Sequence, residues 1–453
     1  MRIIVLIFTF LIGLNSFSQN KQVLYDFAGL PQTLLLNPGL ETDYKFHIGV
    51  PLLSGISSEI KSTGFSLSEI FAVNNKTIND KINTVLNKID ANDYLKVNTQ
   101  IEVFSGGYRF DKNTYVSFGF YQELDAIGYL PSDALTLINE GNNSYLNRSF
   151  SVSEILYKLD VLGVIHAGVS RKMSNKLTLG GRFKVYSSAL NLETTNNQGT
   201  FTTRLGNNNI YTHHLDNINY NARTSGLISN NEYISASTFI ENSLLGGNLG
   251  AGIDLGFTYH VTPQLQFSGS LIDLGFVHHT KDIKNNLIAG SYKFEGIEFE
   301  FDSNRDYWQE LDAALKEQLP IVDNQDSYTS WRPAKVNAAM KYSFGEKRSK
   351  YCYDNTLKDF YTNAFGVQLY SVFRPLRQQF AFTSFYEKSF SNILQAKITH
   401  TIDDYSYYNI GVGVSAKIWK INFYGILDNL TKLSDISSAN NVSLQFGFNL
   451  LFN

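Results

Sequence analysis

Cysteine is nearly absent. The single Cys352 in 453 residues excludes a disulfide framework and a zinc site built from cysteines. Tryptophan and methionine stand at three each, and charged residues make up only 17%. Acidic and basic side chains nearly balance, 41 against 38 for a net charge of −3, which leaves no electrostatic footprint for nucleic acid. Beyond the first eighteen residues there is no long apolar run, and mean hydropathy is −0.16. A helical membrane bundle, which needs repeated stretches of about 20 apolar residues, is thereby excluded. What is abundant is 27 Tyr and 33 Phe, so strand formers dominate.

Residues 1–18 have the make-up of a secretory signal peptide: Arg2, an apolar run from Ile3 to Leu14, then Ser16-Phe17-Ser18 before Gln19. No cysteine follows the run, so a lipid anchor is not expected, and the protein is read as exported. The expected organisation is this leader, an N-terminal segment over 19–43, and one domain over 44–453.

That domain alternates apolar and polar residues, as membrane barrel strands do. At the C-terminus Val442, Leu444, Phe446, Phe448, Leu450 and Phe452 share one face, and Ser443, Gln445, Gly447 and Asn449 share the other. Leu177, Leu179, Phe183 and Val185 oppose Thr178, Arg182, Lys184 and Tyr186. Ile253, Leu255 and Phe257 likewise oppose Asp254 and Thr258. A soluble sandwich would also alternate, so loop lengths decide. Short turns at 111–114, 172–176 and 261–264 alternate with long polar stretches at 126–159, 191–246 and 280–334, the asymmetry of an outer-membrane barrel. The fold class expected is all-β: a transmembrane antiparallel barrel of about fourteen strands, both termini periplasmic. Its strands are placed near 44–53, 97–110, 115–125, 160–171, 177–190, 247–260, 264–278, 335–344, 361–374, 379–388, 392–401, 406–418, 420–428 and 440–452. Gly106-Gly107 is expected to bulge, since the apolar face changes there from Ile101 to Tyr108, and a second flip near Leu271-Ile272 turns Asp273 inward. Helices are expected over Ile78–Ile89 in the first long loop and over Ser132–Asn139. The 20–43 stretch has two open readings, a plug folded into the barrel or an ordered periplasmic tail.

Glu102, Arg182, Lys184, Asp254, Asp273, Lys341, Lys397 and Lys417 fall on the polar face and are candidate lumen residues, expected to neutralise one another across the barrel. His213-His214 and His278-His279 diverge on extended backbone and make no bidentate metal site. His400, on the apolar face beside Thr399 and Thr401, is where a lipid-facing hydrolase would place a base. No supporting serine is legible, and an interfacial role is expected. The Leu244–Gly250 run is Gly-rich but leads into a strand and lacks the Lys-Ser/Thr pair of a phosphate loop, so it reads as a flexible strand entry. Cys352 has no histidine nearby in sequence and is expected to be inert. No cofactor, metal or enzymatic activity is expected. The alternating terminal strand with Phe446, Phe448, Leu450 and Phe452 is the expected signal for barrel-assembly machinery.

Leu34-Leu35-Leu36-Asn37-Pro38-Gly39 is similar to the asparagine–proline motif that opens the PorP/SprF-like membrane proteins of type IX secretion, with Gly39 where alanine is usual. Gly163 to Val169, Leu179 to Lys184 and Ser270 to Phe276 together resemble a related, uncharacterised group of outer-membrane barrels. More distantly, the strand count with an N-terminal plug resembles FadL-type channels for hydrophobic molecules. The resemblance implies an outer-membrane channel gated by Asn37, Pro38 and Gly39. The alternative is a docking component of a secretion or surface complex, whose partners would meet the long loops. Outer-membrane lipid and the assembly machinery are the other expected partners.

Overall fold

The computed structural model describes residues 21–452 except 67, 70, 71, 73, 207–209, 230, 231, 296–312, 314, 315, 347–360, 376, 377, 404–406 and 431–440. The expected leader and Cys352 lie outside the described residues, as do Phe299, Phe301, Tyr307 and Trp308 of the 280–334 stretch. Fourteen antiparallel strands form the wall. They are β1 (Phe46–Gly49, resuming as Ile56–Ser62), β2 (Tyr94–Arg109), β3 (Thr114–Tyr129), β4 (Tyr157–Lys172), β5 (Leu177–Leu205), β6 (Asn248–His260) and β7 (Leu265–His279). The ring continues through β8 (Tyr328–Trp331, then Lys335–Glu346), β9 (Tyr361–Phe373), β10 (Gln378–Ser389), β11 (Leu394–Ile402), β12 (Asn409–Ile418), β13 (Ile421–Asp428) and β14 (Asn441–Phe452).

Pairing of β14 with β1 closes the ring, so the sheet has no open edge. Phe452 faces Phe46 across this seam, Leu450 faces Ile48 and Phe446 faces Ile56. The Phe46 and Phe452 rings stack at 4.1 Å, and Phe448 stacks on Phe423 of β13 at 5.7 Å. The C-terminal aromatics therefore line the seam that completes the barrel.

The wall has its polarity reversed from a soluble protein. Phe118, Leu179, Phe183, Ile253, Phe257, Phe365 and Phe423 point outward and are exposed, while Arg182, Lys184, Asp254 and Lys397 point inward and are buried. Period-two alternation on every strand produces this inversion, which suits lipid outside and a polar lumen inside.

Three local features differ from the sequence expectation. The β2 bulge is not at Gly106-Gly107 but at Val103, between the Glu102–Tyr121 and Phe104–Phe120 pairs. From Phe104 onward the even positions already point out, and the two glycines merely continue that phase. The break in β1 was not expected either. Residues 50–55 form a turn within the wall, still bonded to both neighbours through the Leu52 amide to Val103 and the Leu53 carbonyl to Phe448, with Leu52 at φ +62° exposed outward and Ser54 buried. Lastly, much of the 191–246 and 280–334 stretches is sheet, not loop. β5 runs on to Leu205 and pairs with Tyr211–Ser225, which pairs with Ile283–Phe294 and then Ile321–Asn324. These strands extend past the apolar band and pack only a small cluster of Ile218, Tyr292 and Leu319 on one side, so their sequence has no lipid face and loses the alternation that marks the wall. The expected flip near Leu271-Ile272 is present: Leu271 pairs with Leu255 and Leu274 with Ile253, leaving Asp273 at φ +60° and turned inward.

Both helices lie in the long loops, as α1 (Ile78–Leu86) and α2 (Ser132–Glu140). Thr77 and Asp80 form a capping box at the start of α1, which fixes where that helix begins.

A Cβ at Gly447 would fall 1.9 Å from the Ser54 carbonyl oxygen. Gly447→Val should therefore strain the seam by roughly 1–3 kcal/mol. The expected readout is a lower urea midpoint, with the compact band on unheated gels lost earlier than in the parent.

Candidate functional site

The lumen is occupied by the chain's own N-terminal segment. Residues 21–45 touch inward-facing groups on strands all around the ring. Lys21 Nζ donates to Gln100 of β2 at 2.7 Å, and the Ser170 hydroxyl of β4 donates to the Leu40 carbonyl at 3.1 Å. Ser270 of β7 donates to the Leu36 carbonyl at 2.6 Å, and Lys397 of β11 donates to the Tyr25 carbonyl at 2.7 Å. A short 3-10 turn, Pro31–Leu35, crosses the middle. Buried backbone must find partners, and this segment finds many of them on wall side chains.

Asn37, Pro38 and Gly39 sit against one place on the wall. Gly180 of β5 and Gly256 of β6 face each other across their strand pair, both at inward positions. A Cβ at Gly180 would fall 1.9 Å from the Pro38 carbonyl oxygen, and one at Gly256 would fall 2.0 Å from Asn37 Oδ1. The paired glycines thus cut a notch into which the turn fits. Asn37 Oδ1 accepts from the Gly39 amide at 2.8 Å, and its Nδ2 donates to Tyr25 Oη at 3.0 Å and the Phe257 carbonyl at 3.2 Å. A Cβ on Gly39 would itself lie 2.5 Å from the Gly256 backbone, so glycine is the residue that fits here.

The charges follow the same economy. Asp254 takes Arg182 at 3.2 Å and Lys184 at 2.9 Å, while Asp273 takes Lys184 at 2.5 Å and Lys335 at 2.5 Å. The Asp273 amide donates to Asp254 Oδ1 at 2.8 Å, so the left-handed residue in the bulge joins the two acids into one network. Arg182 also donates to the Leu34 carbonyl, which ties this network to the segment. Glu102 accepts from Gln32 at 2.9 Å. Lys397 pairs with Glu387 at 3.1 Å, and Lys341 pairs with Asp26 of the segment. Lys417 is half-buried one residue from the end of β12.

Sequence reading missed a second tier of charge nearer the long loops. Arg332 bridges Glu123 at 2.7 Å and Asp160 at 3.3 Å, and Arg374 holds Asp125 in a two-pronged pair at 2.7 and 2.9 Å. Glu123, Asp125 and Asp160 were detectable, since they occupy inward positions of β3 and β4. Arg332 and Arg374 lie at the breaks where β8 pauses and β9 ends, so no alternation marks them. Each buried ion has a partner, as a low-dielectric interior demands.

Away from the lumen, the register places Ser384 opposite His400, a serine the sequence reading did not find. Its hydroxyl donates to the His400 carbonyl at 3.4 Å, and the imidazole Nε2 contacts the Tyr407 carbonyl at 3.1 Å. The pair is not arranged as nucleophile and base. Among the described residues no group of three metal-ligating side chains occurs.

A family model described as a family of unknown function (DUF5723) matches residues 38–428. The chain belongs to that family. No curated protein matches it. Among solved structures, the toluene transporter TbuX of Ralstonia pickettii is 12% identical at a TM-score of 0.42, covering 98% of this chain and 100% of that one. A Pseudomonas aeruginosa FadL homologue is 8% identical at 0.44, covering 94% and 96%. The toluene transporter TodX of P. putida is 10% identical at 0.38, covering 97% and 96%. At such scores the architecture of this DUF5723 member is read from its own strand pairing.

Removing one partner of a buried ion pair leaves the other charge stranded. Asp254→Ala, which strands Arg182 and part of Lys184, should cost roughly 3–5 kcal/mol. Urea unfolding in detergent checks this, and a cost below about 1 kcal/mol, the scale of an exposed pair, would show the lumen to be wet at that depth.

Proposed function

We propose that the protein is an outer-membrane channel for a small hydrophobic molecule, held closed by its N-terminal segment. The observation that carries this reading is the seating of Asn37-Pro38-Gly39 in the Gly180–Gly256 notch. The segment blocks the lumen near the ends of β5 and β6 that carry the short 172–176 and 261–264 turns, yet it is fastened by hydrogen bonds and ion pairs such as Asp26–Lys341, with no cross-link to the wall beyond its own continuation into β1. In this reading both termini face the periplasm, so the segment enters from that side and can leave by it.

The wall beneath the segment supports a hydrophobic cargo. Val23, Leu24, Phe27, Leu30 and Leu36 pack with Tyr424 and Ile426 of β13 in one buried cluster. Val23 and Phe27 also lie over Gly411 and Gly413 of β12, whose missing side chains flatten the wall. Withdrawal of the segment would uncover Tyr424 and Ile426 beside the bare backbone of Gly411 and Gly413, while Arg182, Lys184, Asp254, Asp273 and Lys335 stay paired among themselves and Lys341 loses Asp26. An apolar wall patch with a self-neutralised network across from it suits a path for an uncharged molecule better than a path for ions.

A docking role in a secretion or surface complex would place function on the extra-barrel sheet, where Ile321 and Val322 are exposed. Perturbing the notch separates the two readings. Gly180→Val drives a side chain into the Pro38 carbonyl and should dislodge the segment, raising uptake of a hydrophobic dye into proteoliposomes. Unchanged uptake with the segment shown to be displaced would contradict the channel reading.

A further inference from the structure

Outside the barrel, the segment before β6 is folded onto the wall rather than hanging free. A short helix, α3 (Ala236–Glu241), runs into a tight turn over Asn242–Gly246. This turn covers a row of outward positions aligned across three strands: Gln122 of β3, Gly163 of β4 and Ser187 of β5. Ser187 Oγ donates to the Asn242 carbonyl at 2.5 Å and accepts from the Leu245 amide at 3.0 Å. Gln122 donates to Ser243 Oγ at 3.3 Å. A Cβ at Gly163 would fall 1.8 Å from the Ser243 carbonyl, so that glycine is the socket. Lys281 Nζ closes the far side through the Gly246 carbonyl at 2.8 Å. The Leu244–Gly250 run is thus a fixed element, not the flexible strand entry its glycines suggest.

What this element presents outward is apolar. Ile240, Leu244 and Leu245 are 57%, 55% and 47% exposed. Leu245 sits at φ +72°, a left-handed conformation that crowds the Cβ of a leucine against its own backbone. Strain of this kind persists only where surrounding bonds enforce it, and here the Ser187 hydroxyl does so. A strained leucine facing water would be penalised twice. The row that the turn covers is a polar interruption of the outward apolar band. On one side come Phe120, Ile165 and Val185, then Phe118 and Phe183; on the other come Leu124, Val161 and Leu190, and Leu249 leads the band into β6.

We propose that residues 235–247 form an interfacial tongue whose Ile240, Leu244 and Leu245 insert into the lipid of the outer leaflet. The polar side of the turn satisfies the polar row that interrupts the band, and its apolar side carries the lipid-facing surface over that row from β4 to β6. The tongue would set the depth of the barrel in the membrane on that side. This inference rests on the membrane reading of the outward band, and its test includes a position that probes that band alone.

The test uses the full chain with Cys352→Ser and single cysteines at Ile240→Cys and Leu244→Cys. Phe183→Cys in the band and Tyr233→Cys in the exposed loop are the references. Each is spin-labelled in phosphatidylethanolamine–phosphatidylglycerol vesicles, and collision with oxygen is compared with collision with a water-soluble nickel chelate. Labels at 240 and 244 should favour oxygen, as at 183, and oppose the pattern at 233. Nickel-favoured labels at 240 and 244 beside an oxygen-favoured 183 would overturn the tongue and leave the membrane reading standing. A nickel-favoured 183 would overturn both. Labels at 240 and 244 that meet neither reagent would also overturn the proposal, because a protein neighbour, not lipid, would then cover the tongue.

Discussion

A strand surrounded by lipid cannot leave its backbone donors and acceptors unpaired, because no water is there to take them. The rest of this structure depends on that constraint. It requires the ring to close, and closure falls on the pairing of the last strand with the first, where Phe452 stacks on Phe46. A closed ring of fourteen strands is wide enough to need filling, and the chain fills it with its own residues 21–45. The break in β1 belongs to the same economy: a turn over residues 50–55 brings Ser54 inward, where its carbonyl accepts from Tyr424 Oη at 3.2 Å.

Filling the lumen decides what the inward side chains must do. Charges that would be hydrated in an open pore are here fully buried, so they are arranged in pairs and short networks whose members come from different strands. Asp273 shows how far the wall bends to achieve this. The bulge in β7 spends an unfavourable left-handed residue to bring a carboxylate between Lys184 and Lys335. The paired glycines 180 and 256 do the complementary work, removing side chains where backbone must pass. Ion pairs reach the apolar cluster as well: Lys397, in register with Gly413, donates to the Tyr25 carbonyl and pairs with Glu387.

The wall was legible in the sequence because lipid and lumen impose opposite demands on successive residues. Strands such as 247–260, 264–278 and 440–452 were found almost to the residue, and the count of fourteen followed. Legibility ended where one of those demands lapsed. The strands beyond Leu190 have no lipid face, bury only a small cluster around Ile218 and Tyr292, and show no period, so they looked like loops. The bulge at Val103 was misplaced by three residues because a glycine pair drew attention from the actual change of phase. Within the lumen, alternation identified Arg182, Lys184, Asp254 and Asp273 as inward, but it carries no information on which strands meet. The cations Lys335, Arg332 and Arg374 lie more than sixty residues away from Asp273, Glu123 and Asp125, the acids they hold. The Gly180–Gly256 notch was equally invisible, since its meaning exists only once two strands are in register.

The central claim is that the N-terminal segment closes an otherwise continuous channel. It is tested most directly by planar-bilayer conductance of the full-length mature chain beside the same chain lacking residues 21–43. The account predicts a silent parent and steady conductance after the deletion, with the deleted form still running as a compact barrel on unheated gels. A compact deleted barrel that stays silent, or a parent that already conducts, would contradict it.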